Sequence, residues 1–207
     1  MEMFLTDAAR AGHLIGLATG FGLALAADLL ALRSLVHPVS QRDVWLLRWL
    51  HRLILGGLAL LWVSGLLLLY HRTGFELSLF TPKLICKLAV VSLLTLNALL
   101  IGVYVLPRYT ANAGRRFGDF DLVPRLNLSL VAGISMSCWT SALVLGVFSQ
   151  LKTLSFAQLE NILGPMFLLG LGGALVVGGG AALMLRTPTF RVIAMRHVDP
   201  EELRRAA

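Results

Sequence analysis

Two apolar runs decide the fold of this chain: VWLLRWLHRLILGGLALLWVSGLLLLY at residues 44–70 and LICKLAVVSLLTLNALLIGVYVLP at residues 84–107. A helix needs about 20 apolar residues, each rising ~1.5 Å, to cross roughly 30 Å of hydrocarbon. Both runs exceed that length, and a short polar connection from His71 to Lys83 joins them. The sequence therefore predicts a transmembrane hairpin.

The composition extends this prediction to almost the whole chain. Of the 207 residues, 57% are hydrophobic and 14% are charged, whereas a soluble domain has about a quarter charged residues. We expect one membrane domain over residues 1–207, with the lipid bilayer as its surroundings. The net charge of +7 does not indicate a nucleic-acid partner, because the lysines and arginines cluster in alternate loops, where they set orientation.

Five apolar runs predict an all-α integral membrane protein, a bundle of five transmembrane helices. We place the helices at about residues 11–35, 44–70, 84–107, 126–150 and 162–185, with a short tail at residues 186–207. Most arginines fall in the first loop, the third loop and the tail. The positive-inside rule then places these segments in the cytoplasm and the N-terminus outside. The expected location is a bacterial-type inner membrane.

Small residues recur at four-residue spacing in two of the predicted helices. The first helix has Gly12, Gly16 and Gly20, and the fourth has Gly133 and Ser137 in the same kind of series. Such ridges let another helix approach closely. They predict tight packing within the bundle, and they leave open a homo-oligomer or a partner in a membrane complex.

Ionisable residues within the apolar runs fall into two layers, and the first lies toward the predicted cytoplasmic side. It contains Asp28 in the first helix, and His51 and Arg52 in the second. An unpaired charge is unfavourable at that depth, so we predict that Asp28 pairs with Arg52 or with Arg48. In the alternative, both arginines extend to the headgroups, and Asp28 with His51 forms a carboxylate and imidazole pair able to relay protons.

The second layer lies toward the predicted outer side. It contains His13 near the start of the first helix, His71 at the end of the second, and Lys83 and Lys87 at the start of the third. Lys87 is one helical turn deeper than Lys83, so we predict an inward role for Lys87. In the alternative, Lys87 extends to the interface and His13 is an interfacial hydrogen-bond donor.

Histidines inside a helix bundle can ligate haem iron. Two imidazoles at one depth would be His13 with His71, or His37 with His51. Neither pair has the His-x13-His spacing along one helix that two-haem cytochrome b bundles show. The two cysteines lie in separate apolar runs and no Cys-x-x-Cys-His occurs, which excludes c-type haem attachment.

Short motifs in the first three predicted helices resemble one family of membrane proteins. The HemJ-type protoporphyrinogen oxidases and the related CopD-like proteins are similar to this chain in His13-Leu-Ile-Gly, Trp62-Val-Ser-Gly65 and Lys83-Leu-Ile-Cys-Lys87-Leu.

The resemblance implies a functional pair and a cofactor. In the HemJ-type family a first-helix histidine and a third-helix lysine act together and haem b is bound. These roles would fall on His13, as the metal ligand, and on Lys87, as the catalytic residue. The chain departs from the family at Asn97, where the family has a histidine.

Two classes of function follow. The first is a haem b-binding oxidoreductase that acts on a porphyrinogen or passes electrons to quinone, with His13, His51, His71 and Lys87 as the candidate cofactor-binding residues. The second is a non-enzymatic membrane subunit or small transporter, including CopD-like metal handling. Copper(I) favours clustered methionines, and the six methionines form no Met-x-x-Met motif.

Overall fold

Six α-helices build the computed structural model, which describes residues 2–184. They are α1 (Glu2–Arg33), α2 (Gln41–Thr73), α3 (Pro82–Leu100), α4 (Leu106–Ala111), α5 (Leu122–Val147) and α6 (Phe156–Met184). A π-helical segment, Ile101–Val105, joins α3 to α4, and the described residues contain no strand. Five helices are long and apolar enough to cross a membrane, with α3 and α4 counted as one. The prediction of five long apolar helices is confirmed.

All five spanning helices begin earlier than predicted, two of them by six residues or more. α1 starts at Glu2 rather than near residue 11, because apolar residues precede an Asp7–Arg10 ion pair of 3.1 Å that joins neighbouring turns of the helix. α6 starts at Phe156 rather than near residue 162, where Ser155 and Gln158 form a reciprocal cap. The predicted tail at residues 186–207 lies outside the described residues.

The glycine ridges lie at close contacts between helices. A Cβ atom added to Gly16 of α1 would lie 2.9 Å from the carbonyl oxygen of Gly57 in α2. A Cβ atom added to Gly133 of α5 would lie 2.6 Å from the carbonyl oxygen of Gly170 in α6. The predicted ridges on the first and fourth spans therefore pack directly against neighbouring backbones.

Helix α5 lies at the centre of the bundle, in contact with α1, α3 and α6. Its Cys138, Trp139 and Leu145 are almost completely buried. Asn97 of α3 is also buried and donates from Nδ2 to the Val131 carbonyl of α5 at 3.2 Å. Asn97 therefore joins α3 to α5.

Polar contacts also join α2 to the α3–α4 helix. Trp62 Nε1 donates to Thr95 Oγ1 at 2.9 Å, and Arg48 donates to Thr110 Oγ1 at 2.8 Å. The two helices run antiparallel. Arg48 and Trp62 lie several turns apart on α2, so the two contacts are at different depths in the bundle. We call the end of the bundle near Lys87 the His13 end and the opposite end the His51 end.

Candidate functional site

His13 is half-buried on α1 against the glycine-containing part of α2. Its Nδ1 lies 3.2 Å from Ser64 Oγ, and a Cβ atom added to Gly65 would lie 3.3 Å from its Cε1. The close approach of α1 and α2 holds the ring edge-on to α2. Any side chain larger than glycine at position 65 would push against the imidazole.

The hydrogen bonds of Ser64 assign the tautomer of His13. The Ser64 hydroxyl donates to the Leu60 carbonyl at 2.6 Å, so its oxygen accepts from the ring. We therefore assign the proton to Nδ1, which leaves a lone pair on Nε2. A neutral imidazole with one nitrogen held by a hydrogen bond is the usual form of a histidine that ligates a metal.

Lys87 lies close enough to His13 for its charge to act on the imidazole, and no hydrogen bond joins the two side chains. The two residues that the sequence placed at one depth therefore lie at the same end of the bundle. Lys87 also lines a cavity of about 350 Å³ that we call the cationic cavity. Its lining includes five cationic side chains: Arg10, Arg72, Lys83, Lys87 and Lys152.

By surface exposure, Lys83 is the more buried of the two lysines. Lys83 is 5% exposed and its Nζ donates to the Phe148 carbonyl at 2.5 Å, whereas Lys87 is only half-buried. The backbone after α5 bends over the first turn of α3 and accepts this bond. Lys83 is therefore a structural link between α3 and the end of α5, which the sequence did not indicate.

His71 lies apart from His13 along the helix axis. His71 is exposed and packs edge-on beside Tyr70, seven residues beyond Ser64 on the same helix, or about 10 Å at ~1.5 Å per residue. His51 lies 13 residues before Ser64, about 20 Å away by the same measure. Of the predicted cofactor-binding histidines, only His13 lies beside Lys87 in the described part of the chain.

His51 and Asp28 line a second space, at the opposite end of the bundle. A cavity of about 90 Å³ has both residues and Tyr109 in an otherwise largely apolar wall. A neighbouring cavity of about 190 Å³ shares Asp28 and Tyr109 and includes Ser129, whose buried hydroxyl has no partner. The carboxyl of Asp28 thus lies where the two cavities meet.

The structure does not bring Asp28 and Arg52 together. Arg52 is exposed, and within residues 2–184 the ion pair at this end joins Arg33 to Asp43, at 3.5 Å. Arg48 bonds Thr110 instead. Arg48 and Arg52 are both exposed, whereas Asp28 lines both cavities and shares the first with His51. No hydrogen bond joins Asp28 to His51 in the described residues, so the pairing of these two side chains stays a prediction.

The π-helical segment is a feature of the His51 end that the apolar pattern did not indicate. A Cβ atom added to Gly102 would lie 3.2 Å from His51 Nε2, so the imidazole packs against the backbone of this segment. π-helical turns often occur at functional sites. The one signal for this segment in the sequence was a glycine, Gly102, which faces His51 on the neighbouring helix.

Comparison with protein-family models, with curated proteins and with solved structures finds no match. Within residues 2–184 no group of three or more His, Cys, Asp or Glu side chains is arranged to hold a metal ion. A metal held by protein side chains alone is therefore not supported there, whereas a haem iron needs only one or two axial ligands from the protein.

Proposed function

We propose that this multi-pass membrane protein binds a tetrapyrrole, haem b, through His13 at the His13 end and serves a redox or porphyrin-related reaction. The observation that carries the proposal is the hydrogen bond from His13 Nδ1 to Ser64, which frees Nε2 for an axial bond. Ser64 and Gly65 orient the ring, and Lys87 lies beside it.

The residues at this end fit the cofactor in two respects. His13 supplies one axial nitrogen. Lys87 supplies a positive charge that would neutralise a propionate or exchange a proton with a substrate. When bound, the haem would supply one-electron redox chemistry, with a porphyrinogen or a quinone as the partner in the reaction.

A visible spectrum of the full-length protein, purified in detergent from haem-replete cells, tests the proposal. We expect a Soret band that shifts on dithionite reduction, its loss in His13→Ala, and a shifted band in Ser64→Ala, which frees the Nδ1 proton. Lys87→Ala should retain less haem because the propionate loses its counter-charge. His71→Ala is the matched control and should leave the spectrum unchanged.

Two results would count against the proposal. A colourless wild-type protein would exclude haem binding and would favour the second candidate, a transporter or membrane subunit, which the cavities at both ends of the bundle support. A pigmented His13→Ala protein whose colour is lost in His51→Ala would move the haem to the His51 end.

We also propose that the N-terminus faces outward and the C-terminus faces the cytoplasm, in a bacterial-type inner membrane, on the distribution of arginines. Five spans place the termini on opposite sides. In a Cys86→Ala, Cys138→Ala background, Phe4→Cys should react with an impermeant maleimide in intact cells and Arg204→Cys only after lysis. Reaction of both from one side would contradict this topology.

A further inference from the structure

The cationic cavity at the His13 end concentrates positive charge from four separate parts of the chain. Arg10 comes from α1, Arg72 from α2, Lys83 and Lys87 from α3, and Lys152 from the turn that follows α5. No carboxylate is among the side chains that line it. Residues far apart in sequence thus place positive charges around a single cavity.

Little within residues 2–184 neutralises these charges. Arg10 has an ion pair with Asp7 at 3.1 Å, on the exposed surface. None of the other four cations has a carboxylate oxygen within 4.0 Å in that part of the chain. Like charges around one space repel each other, and the repulsion is stronger beside apolar helix ends than in bulk water. An anion in the cavity would remove that repulsion.

One of the cationic side chains that line the cavity is held in place by the fold. Lys83 is 5% exposed, and the Phe148 carbonyl fixes its ammonium group at the start of α3. A buried lysine is unfavourable unless something balances its charge, and a carbonyl satisfies one of its three donors without neutralising it. Thr81 and Ser149 add hydroxyls to the same lining.

We propose that the cationic cavity binds a phosphate-type oxyanion carrying two or more negative formal charges, or the phosphate of an anionic lipid headgroup. Arginine and lysine are the usual partners of such groups, and about 350 Å³ is at the lower end of small-ligand sites, which span roughly 300–1,000 Å³. The location at helix ends places the cavity at headgroup level. The inference does not depend on haem, since it rests on the five cations alone.

Two exposed members of the set make a variant that should still fold. Arg72→Gln with Lys152→Gln removes two charges from the cavity, and neither side chain makes a hydrogen bond or ion pair that the fold needs. Arg42→Gln with Arg52→Gln is the matched control, since it removes two exposed charges at the His51 end. Both variants lower the net charge equally.

Calorimetric titration of the full chain in an uncharged detergent, with sodium phosphate against sodium chloride at constant ionic strength, tests the free anion. We expect phosphate to bind the wild type and the control equally and the Arg72→Gln/Lys152→Gln protein about tenfold more weakly. Native mass spectrometry after reconstitution with phosphatidylglycerol or phosphatidylcholine tests the headgroup.

The two measurements distinguish a free anion from a lipid headgroup. Phosphate binding that the cavity variant weakens identifies a free anion. Phosphatidylglycerol retained by the wild type and the control, but lost from the cavity variant, identifies a lipid when free phosphate does not bind. The proposal is overturned if neither ligand binds, or if the control loses binding as much as the cavity variant does.

Discussion

Arg125→Met is expected to lower the free energy of unfolding by roughly 3 kcal/mol or more, because it leaves buried carbonyl groups without a donor. Arg125 is 5% exposed at the start of α5. Its Nε donates to the Gly178 carbonyl at 2.5 Å, and Nη1 donates to the carbonyls of Gly118 and Phe120 at 2.8 and 3.2 Å. One side chain thus ties α5 to α6 and to the turn before it.

Thermal unfolding in detergent measures this effect. Arg125→Lys should recover only part of the lost stability, since a single amine replaces a planar fork of donors. The control is Arg42→Met, an exposed arginine at the start of α2, which should change stability by less than about 0.5 kcal/mol. An Arg125→Met protein as stable as the control would show that the three bonds contribute nothing.

Gly16→Ala is expected to separate α1 from α2 and to lower stability by about 1–3 kcal/mol, the usual effect of overpacking. The added Cβ would lie 2.9 Å from both the Gly57 carbonyl oxygen and the Leu61 nitrogen. Both atoms belong to the backbone of α2, so no side chain can turn away to make room.

Gly22→Ala on the same helix is the control for this change. A Cβ atom there has no neighbour within 4 Å, and alanine is the better helix former. Unfolding of the two variants in the same detergent should therefore give opposite shifts from the wild type. Equal shifts would mean that the α1–α2 contact is looser than the structure has it. Because Gly16 lies one turn from His13, Gly16→Ala should also disturb the His13–Ser64 bond.

The apolar runs were sufficient to predict the helices of this protein. A membrane helix satisfies its own backbone bonds and needs only length and apolarity, so residues 44–70 predicted α2 to within about three residues at each end. The glycine ridges also carried information, since Gly16 and Gly133 each lie against the backbone of a neighbouring helix.

The surroundings of the polar residues could not be predicted in the same way. A helix that is apolar on every side gives no signal for which face turns inward, and the partner of a charged residue depends on that rotation. The sequence therefore assigned no role to Lys83 and paired Asp28 with Arg52, whereas the structure buries Lys83 and leaves Arg52 exposed. The roles of Arg125 and Lys83 depend on hydrogen bonds to backbone carbonyl groups. The positions of these carbonyl groups cannot be predicted from residue types.

The π-helical segment Ile101–Val105 acts as an insertion of one residue into an otherwise continuous helix. Each residue of an α-helix advances the direction of its side chain by about 100°, so the extra residue turns everything after it by that angle. Tyr109, which is buried, and Thr110, which accepts the bond from Arg48, both follow this turn. In a continuous α-helix the same side chains would point about 100° away from these positions, and Tyr109 would not line the two cavities of the His51 end.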